Sequence, residues 1–544
     1  MSGGQRLGTW ASLKVAASSR RIGAVTLQSF SSGLPLGLVW IALPAFLTYR
    51  GVDIKTVGLF SLAQAPWTFK FLWSPLMDRY GPRFGSIGRR RSWILVCQAV
   101  LLAGMLGLAA FGGSADVAVV AMLALFVAFG SASQDIVIDA YAVEVLERSE
   151  QGMAVGARTA LARSAVLLSG AVTITLGQKL GWPPVFAGLA LLFVPLAGVV
   201  LWSPEPEVVP PAPRTLRQAV FDPLIDLFRR SGALPILGFL VLYKFGENMA
   251  TALIRPFLIQ KCYVAEDVGL GTATIGLTFL ILGTFVGGAA TERLGLTRSL
   301  WIFGAIQSVG FLGYIAIDQL TPGTPCAGGV TGVIVQPLAH RVVMLLAMGI
   351  ETLCQGMATG AFGVMLLRMT QKRFSATQYA LFSSIFALGR ILPGPIAGFT
   401  ADAIGWTPFY LLCTAASIPG LLLLQRFAPL GGREPALDTL DRVLSSPVTR
   451  GRIAGASAVL AVAGGAVALA LSALLAALKA ARVHPAGGVD FVGALRTILA
   501  PASVSAWVSL AAYAVVGLVS GAGAAAFLIA RHGVRPKDGA APSP

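Results

Sequence analysis

Long apolar segments recur along almost the whole chain, and they constrain its fold more than any other feature. Between Ile22 and Ala530 we count fourteen such segments. Each is long enough to cross a hydrocarbon core about 30 Å thick. Charged residues make up 12% of the sequence, about half the share found in soluble proteins. Because lipid offers no hydrogen bonds, each segment is predicted to be a helix, so we expect an all-α polytopic membrane protein.

The distribution of basic residues predicts how these spans are oriented. Arg and Lys gather in the loops after spans two, six, eight, ten and twelve. Cytoplasmic loops are the ones enriched in Arg and Lys, so both termini are predicted to be cytoplasmic. Because the net charge of +17 is spread over these loops, no nucleic-acid partner is expected. The predicted spans are residues 23–49, 56–77, 93–113, 117–146, 154–180, 184–202, 234–260, 271–291, 298–317, 339–368, 378–402, 407–429, 453–481 and 504–530.

The first twelve spans form two related halves. Gly181 and Trp182 recur as Gly405 and Trp406, at an offset of 224 residues. Parallel six-span repeats are typical of major facilitator transporters, whose substrate site lies at the midplane between the halves. We therefore predict a major facilitator fold of two six-helix bundles plus two extra C-terminal transmembrane helices. The predicted parts are a cytoplasmic N-terminal segment 1–21, the first bundle 22–202, a cytoplasmic linker with an amphipathic helix 203–232, the second bundle 233–430, a cytoplasmic loop 431–452, the two additional helices 453–531 and a cytoplasmic tail 532–544.

Ionisable residues deep within the spans are the first candidates for function. Each costs several kcal/mol at the bilayer centre unless it is paired or hydrated. Four are cations and four are anions, a balance that favours paired networks facing a cavity. They are Lys70 in span two, Asp135 and Asp139 in span four, Arg163 in span five, Lys244 and Glu247 in span seven, Glu351 in span ten and Arg390 in span eleven.

The acidic members of this set are candidate proton-coupling residues. Asp135 and Asp139 are one helical turn apart and share a face, and we expect Lys70 to pair with Asp135 across the first half. A carboxyl group held away from water can exchange a proton during transport. The alternative is that these charges only hold helices together. The candidates are Asp135, Asp139, Glu247 and Glu351.

Polar and aromatic residues beside these charges are candidate substrate contacts. In a cavity their amides and hydroxyls could bind sugar hydroxyls or peptide groups, whereas between helices they would only bridge neighbours. The predicted substrate-binding set is Ser32, Gln64, Trp67, Lys70, Gln134, Arg163, Lys244, Asn248, Gln355 and Arg390. A second set is predicted to form a gating loop or, alternatively, to fix helix ends: Asp78, Arg79, Arg89 and Arg293.

The sequence contains none of the signals of a soluble enzyme. The three histidines stand at or just beyond span ends, and the glycine-rich stretches lack the Lys of a phosphate loop. We therefore expect no catalytic residue, no metal and no cofactor, and transport driven by an ion gradient. Cys262 and Cys326 fall in predicted periplasmic loops, where a disulfide is possible, and the sequence leaves their pairing open.

Five sequence runs in residues 22–430 are distinctive: SFSSGLPL at 29–36, FKFLWSPLMDRY at 69–80, SASQDIVIDA at 131–140, LYKFG at 242–246 and FSATQYAL at 374–381. Together they resemble those of the AmpG-type muropeptide permeases. Glu247 departs from this resemblance, since the family pattern has Asp after the glycine. The runs in spans two and four are also similar to acetyl-CoA transporters, a sister group.

The resemblance implies a proton-coupled importer of N-acetylglucosaminyl-1,6-anhydro-N-acetylmuramyl peptides across the bacterial inner membrane. Its expected partners are this substrate, protons and membrane lipid, and the protein is expected to be a monomer. One alternative is a secondary transporter of an acyl-CoA-like or other organic anion, whose phosphates would need a larger cationic pocket than three buried cations provide. Another is a non-transporting membrane sensor, which would need an extramembrane domain that the sequence does not show.

Overall fold

The computed structural model is helical, and no β-strand occurs among the residues it describes. Its first compact unit contains both predicted halves, as Met1–Ala219 with Leu234–Leu437. The residues described are 19–52, 60–82, 84–85, 87–112, 116–207, 211, 213–230, 232–321, 336–391, 393–432, 434–435, 447–483, 488–501 and 504–532.

The N-terminal half consists of helices that pack around their own apolar core. Leu38 and Phe46 of the first helix meet Leu101 and Phe186 in this core, and all four are buried. The helices are α1 (Arg20–Tyr49), the short α2 (Ala65–Phe69) and α3 (Ser74–Arg79), α4 (Arg89–Phe111), α5 (Val117–Val145), α6 (Gln151–Leu180) and α7 (Trp182–Trp202).

The C-terminal half repeats this arrangement with a second core. Phe257, Tyr314 and Tyr410 lie at its centre and are buried. The amphipathic helix α8 (Leu216–Arg229) precedes this half along the chain. The helices of the half are α9 (Ala233–Leu242), α10 (Phe245–Gln260), α11 (Glu266–Leu294), α12 (Leu296–Leu320), α13 (Leu338–Met369), α14 (Ser375–Ile391), α15 (Pro393–Ile404) and α16 (Trp406–Phe427).

Backbone geometry at the start of α7 and α16 supports the internal repeat. Gly181 and Gly405 both have positive φ, 86° and 79°. Glycine adopts a positive φ readily, whereas a residue with a side chain is strained there. Each glycine precedes a tryptophan that begins a helix, so the repeat observed in the sequence corresponds to the same local turn in both halves.

Two of the predicted spans are interrupted, which the sequence prediction of continuous helices missed. Eleven helices of the described chain are long and apolar enough to cross a membrane, and spans two, seven and eleven are absent from that set. Span two breaks at Trp73 and span seven at Tyr243 and Lys244. Proline lacks a backbone N–H and favours the first turn of a helix. Irregular backbone at membrane depth is tolerated where protein surrounds it.

A second compact unit is formed by Val220–Ala233 with Asp438–Pro544. Its helices are α17 (Arg450–Val483), α18 (Phe491–Leu499) and α19 (Val504–His532). Gly517 of α19 packs against the backbone of Ala461 in α17, where a side chain would overlap the Ala461 carbonyl oxygen. Phe228 packs edge-on against Phe527 within the unit, with ring centroids 5.6 Å apart. Small residues therefore allow α17 and α19 to pack closely.

The cysteines divide into two groups. Cys97, Cys354 and Cys413 are buried free thiols, as the apolar surroundings of their segments indicate. Cys262 lies in the loop after α10 and is disulfide-bonded. Cys326, the other cysteine predicted to lie in a periplasmic loop, falls outside the described residues.

Candidate functional site

Asp139 of α5 is the anion at the centre of a charged cluster in the N-terminal half. Its Oδ2 lies 3.5 Å from Nζ of Lys70, and its Oδ1 accepts a hydrogen bond from Arg158 of α6. Arg158 also donates from Nε to Oγ of Ser29 in α1, over 3.0 Å. One carboxylate therefore compensates two cations and connects α5, α6 and the interrupted span two.

The predicted pairing of Lys70 with Asp135 is wrong. Oδ1 of Asp135 instead accepts a hydrogen bond from the hydroxyl of Ser32 in α1. The prediction placed Lys70 on a continuous helix, whereas it lies in a separate turn, Lys70–Leu72, between α2 and α3. With this backbone its ammonium group forms its ion pair one turn farther along α5, at Asp139.

Gln134 belongs to the same region but makes a contact between helices. Its Nε2 donates to Oγ of Ser31 over 2.6 Å, and the side chain is fully buried. Trp67 stands nearby on α2, and its ring packs edge-on against Trp40 with centroids 5.9 Å apart. Gln64 ends the helical turn before α2, and Arg163 lies on α6.

A second polar cluster forms where α9 gives way to α10 in the C-terminal half. Nζ of Lys244 lies 2.5 Å from Oε2 of Glu247 and donates to Oγ1 of Thr359 over 2.8 Å. Nε2 of Gln355 donates to the other Glu247 oxygen, over 2.7 Å. Lys244 and Glu247, which share a helix face as the spacing indicates, are thus anchored to α13. Thr359 was not predicted.

The remaining predicted residues of this half lie close to that cluster along the chain or in the fold. Asn248, one residue after Glu247, donates from Nδ2 to the carbonyl oxygen of Gly389 over 2.9 Å, which ties α10 to α14. Arg390 follows Gly389 on α14. Glu351 is buried on α13, one turn before Gln355.

A third network lies at one end of the bundle, which we call the basic end because Arg79, Arg89 and Arg90 meet there. Arg90, 2% exposed, donates to Asp78 over 2.7 Å and to Glu144 over 2.7 and 2.9 Å. All three side chains are nearly inaccessible. The carboxylates of α3 and α5 therefore share one buried guanidinium from α4.

The same network joins the two halves. Oδ2 of Asp78 accepts hydrogen bonds from the backbone N–H and the hydroxyl of Thr377, over 2.8 and 2.7 Å. Ser375 donates to Glu144 over 2.6 Å and accepts from Arg90 over 2.8 Å. The first turn of α14 thus binds two carboxylates of the N-terminal half. The N-terminus of a helix carries partial positive charge and attracts such groups.

The predicted gating residues have different roles in this region. Asp78 is central to the network. Arg89 donates to the backbone oxygen of Asp78 over 2.7 Å, and Arg79 donates to that of Arg214 over 2.7 Å. Arg293 lies in the last turn of α11.

Close backbone packing also holds the halves together near the basic end. Gly152 of α6 faces Gly288 of α11, and a methyl group on either would overlap the carbonyl oxygen of the other. Glu292 accepts from the N–H of Gly152 over 3.2 Å. Gln151 accepts from Arg368 of α13 over 3.4 Å. The halves are therefore in direct contact at this end.

Sequence reasoning missed Arg158, Arg90 and Glu144. Each of them stands within about two turns of a span end. We interpreted charges at that depth as lying at the membrane surface and did not look for partners. The signal available was opposite charge on successive spans at similar depth, since Glu144 lies five residues after Asp139 on α5 and Arg158 lies early on α6. Buried charges are normally paired, so an unassigned cation at that depth should have prompted a search for its anion.

Comparison with known proteins identifies the family. Residues 25–339 match the Major Facilitator Superfamily model. The chain is 40% identical over 406 residues to the anhydromuropeptide permease of Escherichia coli K12, an alignment covering 74% of this chain and 79% of that protein. The chain belongs to the AmpG-type permease family of the Major Facilitator Superfamily. The family expected from the sequence runs is confirmed.

Solved structures agree on the fold. The human organic anion transporter MFSD10 superposes with a TM-score of 0.50 at 15% identity, covering 75% of this chain and 99% of its own. The proton:xylose symporter XylE superposes with a TM-score of 0.51 at 13% identity, covering 76% and 98%. At such identities the likeness shows the fold alone. The protein is a multi-pass membrane transporter and not an enzyme.

Proposed function

We propose that the protein imports anhydro-muropeptides, GlcNAc-1,6-anhydro-MurNAc peptides, across the bacterial inner membrane for peptidoglycan recycling. The observation that supports this most is the 40% identity to the anhydromuropeptide permease over 79% of that protein's length. The two polar clusters support it chemically, because a sugar–peptide substrate carries many hydroxyl, amide and carboxyl groups. The bundles rock about the substrate, as expected for this fold.

The substrate contacts proposed are drawn from both halves. Cations such as Lys70 and Lys244 would bind the carboxylates of the stem peptide, and Trp67 would stack on a sugar ring. Hydrogen-bonding groups would bind the remaining sugar and peptide atoms. The proposed set is Ser32, Gln64, Trp67, Lys70, Gln134, Arg163, Lys244, Asn248, Gln355 and Arg390.

Import against a gradient requires an energy source, which we propose to be the proton gradient. The carboxyl groups of Asp135, Asp139, Glu247 and Glu351 are the proposed proton carriers. In the present structure Asp139 and Glu247 are in ion pairs. Protonation or substrate binding would break such a pair and shift the equilibrium between two access states. The network of Asp78 and Arg90 would hold the basic end closed in one of them.

Uptake into proteoliposomes tests the proposal. Purified protein should accumulate radiolabelled anhydro-muropeptide when the outer solution is acidic, and a protonophore should abolish accumulation. Vesicles without protein provide the baseline, and a labelled acyl-CoA thioester provides a competing substrate. Transport of the thioester with no muropeptide uptake would replace this function by the organic-anion alternative.

We also propose that the basic end and both termini face the cytoplasm, and that α17 and α19 are additional membrane spans without a part in transport. The support is the excess of Arg at that end. A reporter enzyme fused after Ala115 should be active in the periplasm, and one fused after Pro544 should be active in the cytoplasm. The same location for both fusions would contradict the proposed topology.

A further inference from the structure

Three buried polar groups stand together in the core of the C-terminal half: the Glu351 carboxyl and the hydroxyls of Tyr314 and Tyr410. Oε1 of Glu351 and the Tyr410 hydroxyl have no hydrogen-bond partner within the described chain, and the Tyr314 hydroxyl interacts with the Glu351 carboxyl without full hydrogen-bond geometry. Glu351 is 3% exposed, and both tyrosines are below 2%. The tyrosine rings stack with centroids 5.2 Å apart, and Tyr314 faces the Glu351 carboxyl. Buried polar groups without protein partners are usually satisfied by ordered water.

Helical spacing extends this group to the end of the bundle opposite the basic end. On α12, Asp318 follows Tyr314 by one turn. On α16, Thr407 precedes Tyr410 by about one turn and donates to Asp318 over 2.5 Å. Asp318 also lies 2.6 Å from Nζ of Lys261, in the loop after α10. A line of polar side chains therefore runs from the bundle end into the apolar core.

The inner end of this line reaches the charged cluster already described. Glu351 is one turn before Gln355, which donates to Glu247. The charged groups that act on Glu351 are Glu247 and Lys244 of α10. The other titratable neighbours are the thiol of Cys354 on its own helix and the two tyrosines from α12 and α16. Glu351 therefore stands between the outer line and the Lys244–Glu247 pair.

We propose that Asp318, Tyr410, Tyr314 and Glu351 form a hydrated proton route through the C-terminal half, which ends at the cluster of Lys244 and Glu247. The proposal rests on the proton coupling proposed above. A proton from the outer solution binds Asp318 and releases it from Lys261. Each water or tyrosine oxygen then accepts a proton and gives up its own, and the last one protonates the Glu351 carboxylate. One proton moves and each hydroxyl is restored, so no further reactant is needed.

An apolar pocket lies against the Glu351 backbone and offers a way for an apolar reagent to approach this part of α13. The pocket measures about 420 Å³ and is lined by residues of α12 and α13 that include Gly310, Gly313 and Cys354. A Cβ built on Gly310 would lie 3.5 Å from the Glu351 Cα, so the pocket borders the Glu351 backbone. An apolar carbodiimide can enter such a pocket and form an N-acylurea with a protonated carboxyl group.

Labelling of the full-length protein with dicyclohexylcarbodiimide tests the route without any substrate. Peptide mass spectrometry should find the adduct on Glu351, with at least tenfold less at alkaline than at acidic pH, and none in Glu351→Gln. An unlabelled Glu351 at every pH would overturn the proposal.

Transport by the hydroxyl variants tests the other members of the route. Tyr314→Phe and Tyr410→Phe should accumulate muropeptide at least tenfold more slowly under a proton gradient, while gradient-free substrate exchange stays within twofold of wild type. Tyr141→Phe is the matched control. The Tyr141 hydroxyl is lost in the same way, but it belongs to α5 of the N-terminal half and donates to the Pro204 carbonyl oxygen. Wild-type accumulation by both route variants would overturn the route. Absence of muropeptide exchange by wild type would contradict the proposed function, and carbodiimide labelling would still test the route.

Discussion

Asp139→Asn is expected to be the most damaging single substitution in the charged cluster of the N-terminal half. The Asp139 carboxylate compensates both Lys70 and Arg158, and all three side chains are at most 15% exposed. Removing one partner of a buried ion pair costs about 3–5 kcal/mol, because the survivor stays buried without compensation. We expect a clear fall in the thermal unfolding temperature in detergent and loss of gradient-driven accumulation in proteoliposomes.

Lys70→Met is the matched comparison. It removes one cation but leaves Asp139 bonded to Arg158, so it should reduce the unfolding temperature much less. In the Lys70→Met, Asp139→Asn double variant only Arg158 remains uncompensated, and its stability should lie between those of the two single variants. Equal losses for both single variants would show that Asp139 does not serve as the shared anion.

The positions of the helices could be predicted from the sequence because hydropathy reports directly on burial in lipid. The predicted ends of α5 and α7 agree with the structure to within one or two residues. The interruptions in spans two and seven could not be predicted from hydropathy, since the broken segments are apolar on both sides. Proline and lysine within an apolar run were the available signs, and we used the lysines only as charges.

The partners of the charged residues were harder to predict than their positions. Asp135 and Asp139 share one helix face, so the sequence alone could not decide which of them Lys70 meets. In the structure Lys70 lies in a separate short turn, Lys70–Leu72, and from there it meets Asp139. The contact of Asp78 with Thr377 joins residues that are 299 positions apart, and helical spacing carries no information at that separation.

Asp78→Asn is expected to open the basic end. In the closed arrangement Asp78 accepts two hydrogen bonds from Thr377 and one from Arg90. An asparagine keeps the size but turns one acceptor into a donor, which faces the N–H and hydroxyl of Thr377 or the guanidinium of Arg90. Hydrogen bonds to charged groups contribute about 1.5–3 kcal/mol each. The ratio of closed to open protein should therefore fall at least tenfold.

Alkylation of a cysteine at Ala380 measures this opening. Ala380 lies about one turn beyond Thr377 on the same face of α14 and is 1% exposed, so we expect a cysteine there to react when the halves separate. The free cysteines are buried and give a low background. In Asp78→Asn the rate with an impermeant maleimide should rise at least tenfold from the face carrying the basic end. Thr377→Val, which loses only the hydroxyl bond, should give a smaller rise, and Arg79→Gln should give none. If folded Asp78→Asn protein reacts at the wild-type rate, the buried carboxylate fixes helix ends within the N-terminal half, and the halves are held together by other contacts, such as the packing of Gly152 on Gly288.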